Sequence, residues 1–323
     1  MVLDGRFRVI AALGSGAMGD VYVAEQLSLG RRVALKVLRR DLSAQPGMAE
    51  RFAREARLLS SVDHPSVVRV IDYGQSELGA CLVMDLAEGE TLKQALSSGP
   101  IHPERAIAIL AQLARGLVAI HARGIIHRDI KPENVMLASG PDGEKARLLD
   151  FGIARLADPT GDASLTQSGM LVGTPQFLSP EQALGQQPDA RTDLYSFGAT
   201  AYTMLSGAPP FSAETVRELM GHHIHSAPQP LFDGAPALAG HATLCQIVMQ
   251  CLEKDPGARP QSALDLLKLL EGATIPSAQL APTAITPVSR AWRPPCSQAW
   301  ARPHSWPPAP SAPQTRPRRA SSA

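Results

Sequence analysis

The chain has 323 residues, of which 44% are hydrophobic and 19% charged, with a formal net charge of +1. That is the composition of a soluble globular protein, long enough for one large domain or two modest ones. The balanced charge carries no electrostatic footprint for nucleic acid, and no stretch reaches the roughly 18 uninterrupted apolar residues of a membrane span.

The opening MVLDGRFRVI has charges at Asp4, Arg6 and Arg8 and lacks the apolar run of a leader peptide. Residues 7–13, 20–26 and 32–38 are short, rich in Val, Ile and Tyr, and separated by Gly-rich or polar turns, so they are predicted strands. Residues 48–61 are a predicted amphipathic helix, with Phe52, Ala56 and Leu59 on one face. Two more predicted strands cover 67–73 and 80–86. From Thr91 the pattern turns helical, with predicted helices over 103–123, 192–205, 241–252 and 261–270. The fold class is therefore α+β: a small strand-rich lobe at about 7–86 precedes a larger helical lobe at about 87–271.

Residues 272–323 differ in kind. They are rich in Pro, Ala, Ser and Arg and lack a hydrophobic period, so this tail is expected to stay disordered. From Ala273 onward there are six arginines and no Asp, Glu or Lys, which leaves about −5 on the body and +6 on the tail. Cys81, Cys245, Cys251 and Cys296 form no C-x-x-C pair, so they read as free thiols in a reducing cytoplasm.

Four motifs carry chemistry. Gly14-Ser15-Gly16-Ala17-Met18-Gly19 lies between two predicted strands. Glycines let backbone N–H groups approach phosphates closely. A strand and not a helix follows, which favours a loop lying over nucleotide phosphates and disfavours a dinucleotide fold. Alone, the motif would be nearly as well explained as a hairpin turn. In Val33-Ala34-Leu35-Lys36-Val37 a lysine sits inside an apolar strand, costly unless its ammonium is paired, and Glu55 on the next helix is the expected partner. A lysine at a surface edge is the plain alternative. His127-Arg128-Asp129-Ile130-Lys131-Pro132-Glu133-Asn134 and Asp150-Phe151-Gly152 complete the set.

With all four in order, the chain resembles the protein kinase family over about residues 7–271, and most of all the bacterial serine/threonine kinases of the eukaryotic type. The resemblance implies ATP and Mg²⁺ as cofactors and Ser/Thr hydroxyls of protein substrates as acceptors. It makes Asp129 the catalytic base, Lys131 a contact to the γ-phosphate, and Lys36 the holder of the α- and β-phosphates, clamped by Glu55. Asn134 and Asp150 would supply oxygen ligands to the metal. Leu13, Val21, Ala34 and Met136 match the positions that sandwich adenine, Met84 the gatekeeper, and Asp85 to Ala87 the hinge. His127 is expected to be a packed structural histidine, stacked with Leu59, Val70 and Phe151. Asp193 would accept backbone N–H groups of the catalytic loop, and Glu181 with Arg259 would form a buried pair. Thr166 and Ser168 are the expected phosphorylation sites facing Arg128, against the plain reading of ordinary loop hydroxyls. Thr174 matches a threonine that contacts the catalytic Asp.

The main rival is a pseudokinase scaffold, which usually lacks one of the residues matching Lys36, Asp129 or Asp150; all three are present. A small-molecule kinase of related fold is the second rival; against it, the segment from Gly173 to Gln182, with Asp193 and Arg259, resembles the peptide-binding platform of protein kinases. The resemblance also allows a kinase-domain dimer through the back of the small lobe.

Overall fold

The computed structural model describes residues 2–3, 5–16, 19–39, 48–76, 79–150, 175–231 and 238–273. The chain divides into two units, Met1–Pro276 and Ser277–Ala323, and the second lies wholly outside the described residues. So do Ala17, Met18, Phe151, Gly152, Thr166, Ser168 and Thr174.

The small lobe comprises β1 (Val2–Leu3), β2 (Phe7–Gly16), β3 (Gly19–Gln26), β4 (Arg31–Leu38), helix α1 (Met48–Ser60), β5 (Val70–Ser76) and β6 (Gly79–Asp85). Its strands form one antiparallel sheet in the order β1-β2-β3-β4-β6-β5. Side chains alternate across such a sheet. Val33, Leu35 and Val37 enter a small outer cluster with Phe7 and Val83. Ala34 and Leu38 enter the main core, so Lys36 between them faces inward. Helix α1 seals that inner face through Phe52, Ala56 and Leu59, the stripe expected from the sequence.

The large lobe opens with β7 (Glu90–Thr91), α2 (Leu92–Leu96) and α3 (Pro103–His121). A hairpin of β8 (Val135–Gly140) and β9 (Gly143–Leu148) pairs with β7. The lobes are stitched where Val68 N–H donates to the Leu148 carbonyl and Leu148 N–H donates to Ser66, both at 2.9 Å. Then come α4 (Pro180–Ala183), α5 (Ala190–Ser206), α6 (Val216–His225), α7 (Ala242–Cys251) and α8 (Ala263–Gly272). Almost every side chain of α5 is buried, so it is the axis of this lobe. It meets α7 so closely that a Cβ on Gly198 would fall 2.6 Å from the Cys251 Cβ.

Hairpin β8–β9 and helix α6 were not predicted. In β9 the alternation is short and highly charged, with only Ala146 and Leu148 buried, and α6 buries just Leu219 and His223. Neither offers an apolar stripe long enough to read.

Helix α6 brings a polar cluster against α5. Tyr195 donates to His223 Nδ1 at 2.9 Å, and Lys254 Nζ donates to the Tyr195 hydroxyl at 3.2 Å while lying 4.4 Å from the Phe211 ring centre. Burial, with the Lys254 charge adding to it, lowers the His223 pKa to about 4. The unfolded chain therefore binds a proton that the folded chain refuses. The stability His223 confers is complete above its ordinary pKa of about 6.5 and is lost as pH falls toward the folded value. Urea unfolding is expected to show a loss of roughly 3 kcal/mol from this group over that window. His223→Gln, which keeps an acceptor but gains no proton, should flatten this part of the profile.

Candidate active site

The sheet register gathers one wall of the site. Directly opposed residues in an antiparallel pair share a face. Lys36 opposes Val21 on one side and Leu82 on the other, and Ala34 opposes Val23 and Met84. Val21, Ala34, Lys36 and Met84 therefore lie on one inner face. Gly14 pairs with Val21, and Ser15 with Asp20, so the glycine turn closes the end of that wall. Gly19 has no alternative there, since a Cβ would fall 1.9 Å from the Val37 carbonyl oxygen. Leu13 is 55% exposed although apolar, at the strand's open side. Asp85 ends β6 and Ala87 follows it, while Met136 comes from the other lobe, on β8 opposite Thr91.

The opposite wall is the loop between α3 and β8. Two of its non-glycine neighbours adopt left-handed backbone, Arg128 at φ 65 and Asp150 at φ 44. Strained backbone of this kind persists only where surroundings over-determine it. Here the determinant is Asp193, fully buried on α5. Its Oδ2 accepts His127 N–H at 2.8 Å and its Oδ1 accepts Arg128 N–H at 2.7 Å. His121 Nε2, at the end of α3, donates to Oδ2 as well, at 2.8 Å. The first two contacts were expected; His121 was not, because a histidine closing an apolar helix carries no signal of its partner.

His127 is fully buried and donates from Nε2 to the Leu149 carbonyl at 2.9 Å, while its Nδ1 accepts Asp129 N–H at 3.4 Å. Desolvation lowers its pKa and keeps the ring neutral, which matches that pattern of one donor and one acceptor. It is thus a buried, packed histidine; Leu59 and Val70 both belong to the main core, and Phe151, the other expected member of the stack, lies outside the described residues.

Asp129 projects from this loop. Its carboxylate meets Lys131 Nζ at 2.8 Å and accepts from Asn134 Nδ2 at 2.8 Å. Asn134 Nδ2 also donates to the Asp129 carbonyl, so the amide oxygen is turned away from Asp129 and left as a hard donor. Across the cleft Lys36 Nζ lies 2.9 Å from Asp150 Oδ1. The expected clamp between Lys36 and Glu55 is not formed: Glu55 has Arg54 at 3.9 Å, and the ammonium is taken by the nearer carboxylate, Asp150.

The donor set fits a divalent cation of the Mg²⁺ type. Among the described residues no three His, Cys, Asp or Glu side chains converge as a self-contained metal cage. Asp150 and the Asn134 amide oxygen give two hard ligands, the sparse protein contribution that Mg²⁺ takes when phosphates and water complete its octahedron. Away from the cleft, Arg259 grips both oxygens of Glu181 at 2.9 Å, and Thr192 donates to the same carboxylate at 2.8 Å. Burial pushes the Glu181 pKa up, but the hydrogen bonds and charge of Arg259 outweigh it and hold the carboxyl below its usual range. This is the buried pair expected.

Comparison with known proteins agrees with this geometry. The protein kinase domain family matches residues 7–269. Serine/threonine-protein kinase pkn2 of Myxococcus xanthus is 56% identical over 273 residues, covering 84% of this chain and 33% of pkn2. Serine/threonine-protein kinase PknB of Mycobacterium tuberculosis is 38% identical over 269 residues, covering 82% of this chain and 42% of PknB. The chain thus spans about a third to a half of the curated relatives it matches. The crystal structure of the Mycobacterium tuberculosis PknI kinase domain superposes with a TM-score of 0.66 at 26% identity, over 84% of this chain and 97% of that one.

Replacing Asp193 strands three donors at once. Asp193→Ala is expected to lower stability by about 2–5 kcal/mol in urea unfolding, since each buried donor left unmatched costs about 1–3 kcal/mol.

Proposed function

The chain belongs to the protein kinase family, and from that membership we propose that it transfers the γ-phosphoryl group of Mg-ATP to serine and threonine hydroxyls of protein substrates. The observation that carries this reading is the placement of Asp129, held between Lys131 and Asn134 across the cleft from the Lys36–Asp150 pair.

Phosphoryl transfer asks a protein mainly for positioning and for charge neutralisation. Asp129 orients the acceptor hydroxyl and takes its proton as the oxygen bonds to the γ-phosphorus and the bond to ADP breaks. Lys131, already beside Asp129, offers its charge to the transferred group. Lys36 holds the α- and β-phosphates, which requires it to leave Asp150 and makes Glu55 available as its partner. Asp150 and Asn134 would hold Mg²⁺, which when bound would supply further positive charge beside the phosphates. Adenine is held between Leu13, Val21 and Ala34 above and Met136 below, past Met84, with the backbone of Asp85 to Ala87 reading its edge. The turn from Gly14 to Gly19, including Ala17 and Met18, covers the phosphates.

Autophosphorylation at Thr166 and Ser168 belongs to the same proposal. Support comes from Arg128, whose Nε is buried without a hydrogen-bond partner among the described residues. A role in bacterial signalling, and pairing of two kinase domains, are drawn from the family. A reducing cytoplasm is the compartment that goes with Cys81, Cys245 and Cys251 as buried thiols, and no described helix is long and apolar enough to cross a membrane.

The test is incubation of the purified protein with Mg²⁺ and γ-labelled ATP, following label on the chain and on a generic basic protein. Asp129→Asn is expected to cut transfer by about 10²–10⁴-fold, the usual contribution of a positioned base. Equal label from both proteins would remove Asp129 from its role. ATP binding without transfer in the parent, even after phosphorylation by an added kinase, would favour the scaffold reading.

A further inference from the structure

The backbone of Arg128, the residue before Asp129, is held at both of its polar groups. On one side Arg128 N–H donates to the buried Asp193. On the other, the Arg128 carbonyl accepts from Gln182 Nε2 at 3.3 Å. Since Arg128 is left-handed, a conformation costing of order 1–3 kcal/mol, each of these contacts helps hold a strained unit that aims Asp129.

The Gln182 contact has a built-in direction. Helix α4 starts with a capping box in which Gln182 N–H donates to Ser179 Oγ at 3.3 Å and Ser179 N–H donates to Gln182 Oε1 at 3.1 Å. An amide whose oxygen is committed to Ser179 must present its NH₂ elsewhere, and the Arg128 carbonyl lies in that direction. A glutamate would complete the capping box as well as glutamine does. Only the amide can also donate to Arg128. The neighbouring residue, Glu181, is the one locked by Arg259, so the point from which Gln182 reaches is itself rigidly seated.

We propose that Gln182 is a positioning residue for phosphoryl transfer, coupling the seating of α4 to the peptide bond that carries Asp129. This rests on the kinase reading above. It predicts that loss of the donor alone, with the helix cap intact, misdirects the base. The nucleotide wall is built from other elements and should be unaffected.

The test compares Gln182→Glu and Gln182→Met with the parent by transfer kinetics and by hydrogen exchange over residues 125–131. Gln182→Glu is expected to keep the parental unfolding midpoint. It should lower kcat about tenfold with KM for ATP within about twofold, a split that marks an interaction used in the transition state. Exchange at Arg128 N–H should rise in both variants. Gln182→Met should lower kcat comparably and also lose the half of the capping box in which Ser179 N–H donates to the Gln182 side chain, about 0.5–1.5 kcal/mol. A Gln182→Glu protein with parental kcat and parental exchange, beside a destabilised Gln182→Met, would reduce Gln182 to a helix cap and overturn the proposal. Exchange is read whether or not the parent transfers phosphate, so failure of the kinase reading and failure of the Gln182 link are separate results.

Discussion

An unexposed carboxylate is an expensive object, and the site is arranged around one. Asp193 is tolerated on the buried axis α5 because three donors converge on it from two other segments, the end of α3 and the catalytic loop. Its charge has no Lys or Arg beside it in this set of contacts; the one group there able to carry a positive charge is His121. The consequence is directional. Backbone donors in a loop can reach a fixed acceptor in few ways, and the arrangement reached here includes a left-handed Arg128. The orientation of the loop that carries Asp129 is thus inherited from the buried helix α5.

The second ionic anchor works by a different balance. Arg259 and Glu181 bury a full ion pair, which hydrophobic replacement of both partners could match in energy, whereas removal of one partner costs about 3–5 kcal/mol. What the pair supplies is geometry. A bidentate guanidinium fixes both oxygens of Glu181, and Arg259 also donates to the carbonyls of Glu253, Lys254 and Arg191. Five hydrogen bonds from one side chain leave α4 little freedom relative to α5. Asp193 and Glu181 are thereby both referred to α5, and the loop and the segment that flank an acceptor share one frame.

Most of this was legible in the sequence wherever a residue's identity constrains its environment. A lysine in an apolar strand demands a counter-charge, so Lys36 announced an ionic cleft, and period-two alternation then put it on the face of Ala34. Spacing carried the loop, since Asp129, Lys131 and Asn134 are too close together to end up apart. What could not be read was anything decided by partners distant in sequence. His121 and Asp193 are 72 residues apart, and Gln182 and Arg128 are 54 apart. Each is an ordinary residue in its own local pattern. The β8–β9 hairpin escaped for the opposite reason: its local pattern is too polar, and the contacts that hold it are distant in sequence, among them Gln112 of α3 pairing with its backbone at Glu144 and Ala146.

The partner of Lys36 shows where sequence reasoning gives a set of candidates and electrostatics chooses among them. One ammonium faces two candidate carboxylates, Glu55 and Asp150. At 2.9 Å, with Lys36 11% and Asp150 32% exposed, the pair with Asp150 is the one formed, while Glu55 has its nearest ion-pair contact with Arg54 at 3.9 Å. Yet Asp150 is also the hard carboxylate that a divalent cation would need, and a cation there would repel the ammonium. The two roles of Asp150 are therefore mutually exclusive with one another in time. Binding of a metal-bound triphosphate would take Asp150 from Lys36 and offer phosphate oxygens in exchange. Under the proposed function Glu55, on α1, would be the carboxylate to balance the lysine after that exchange.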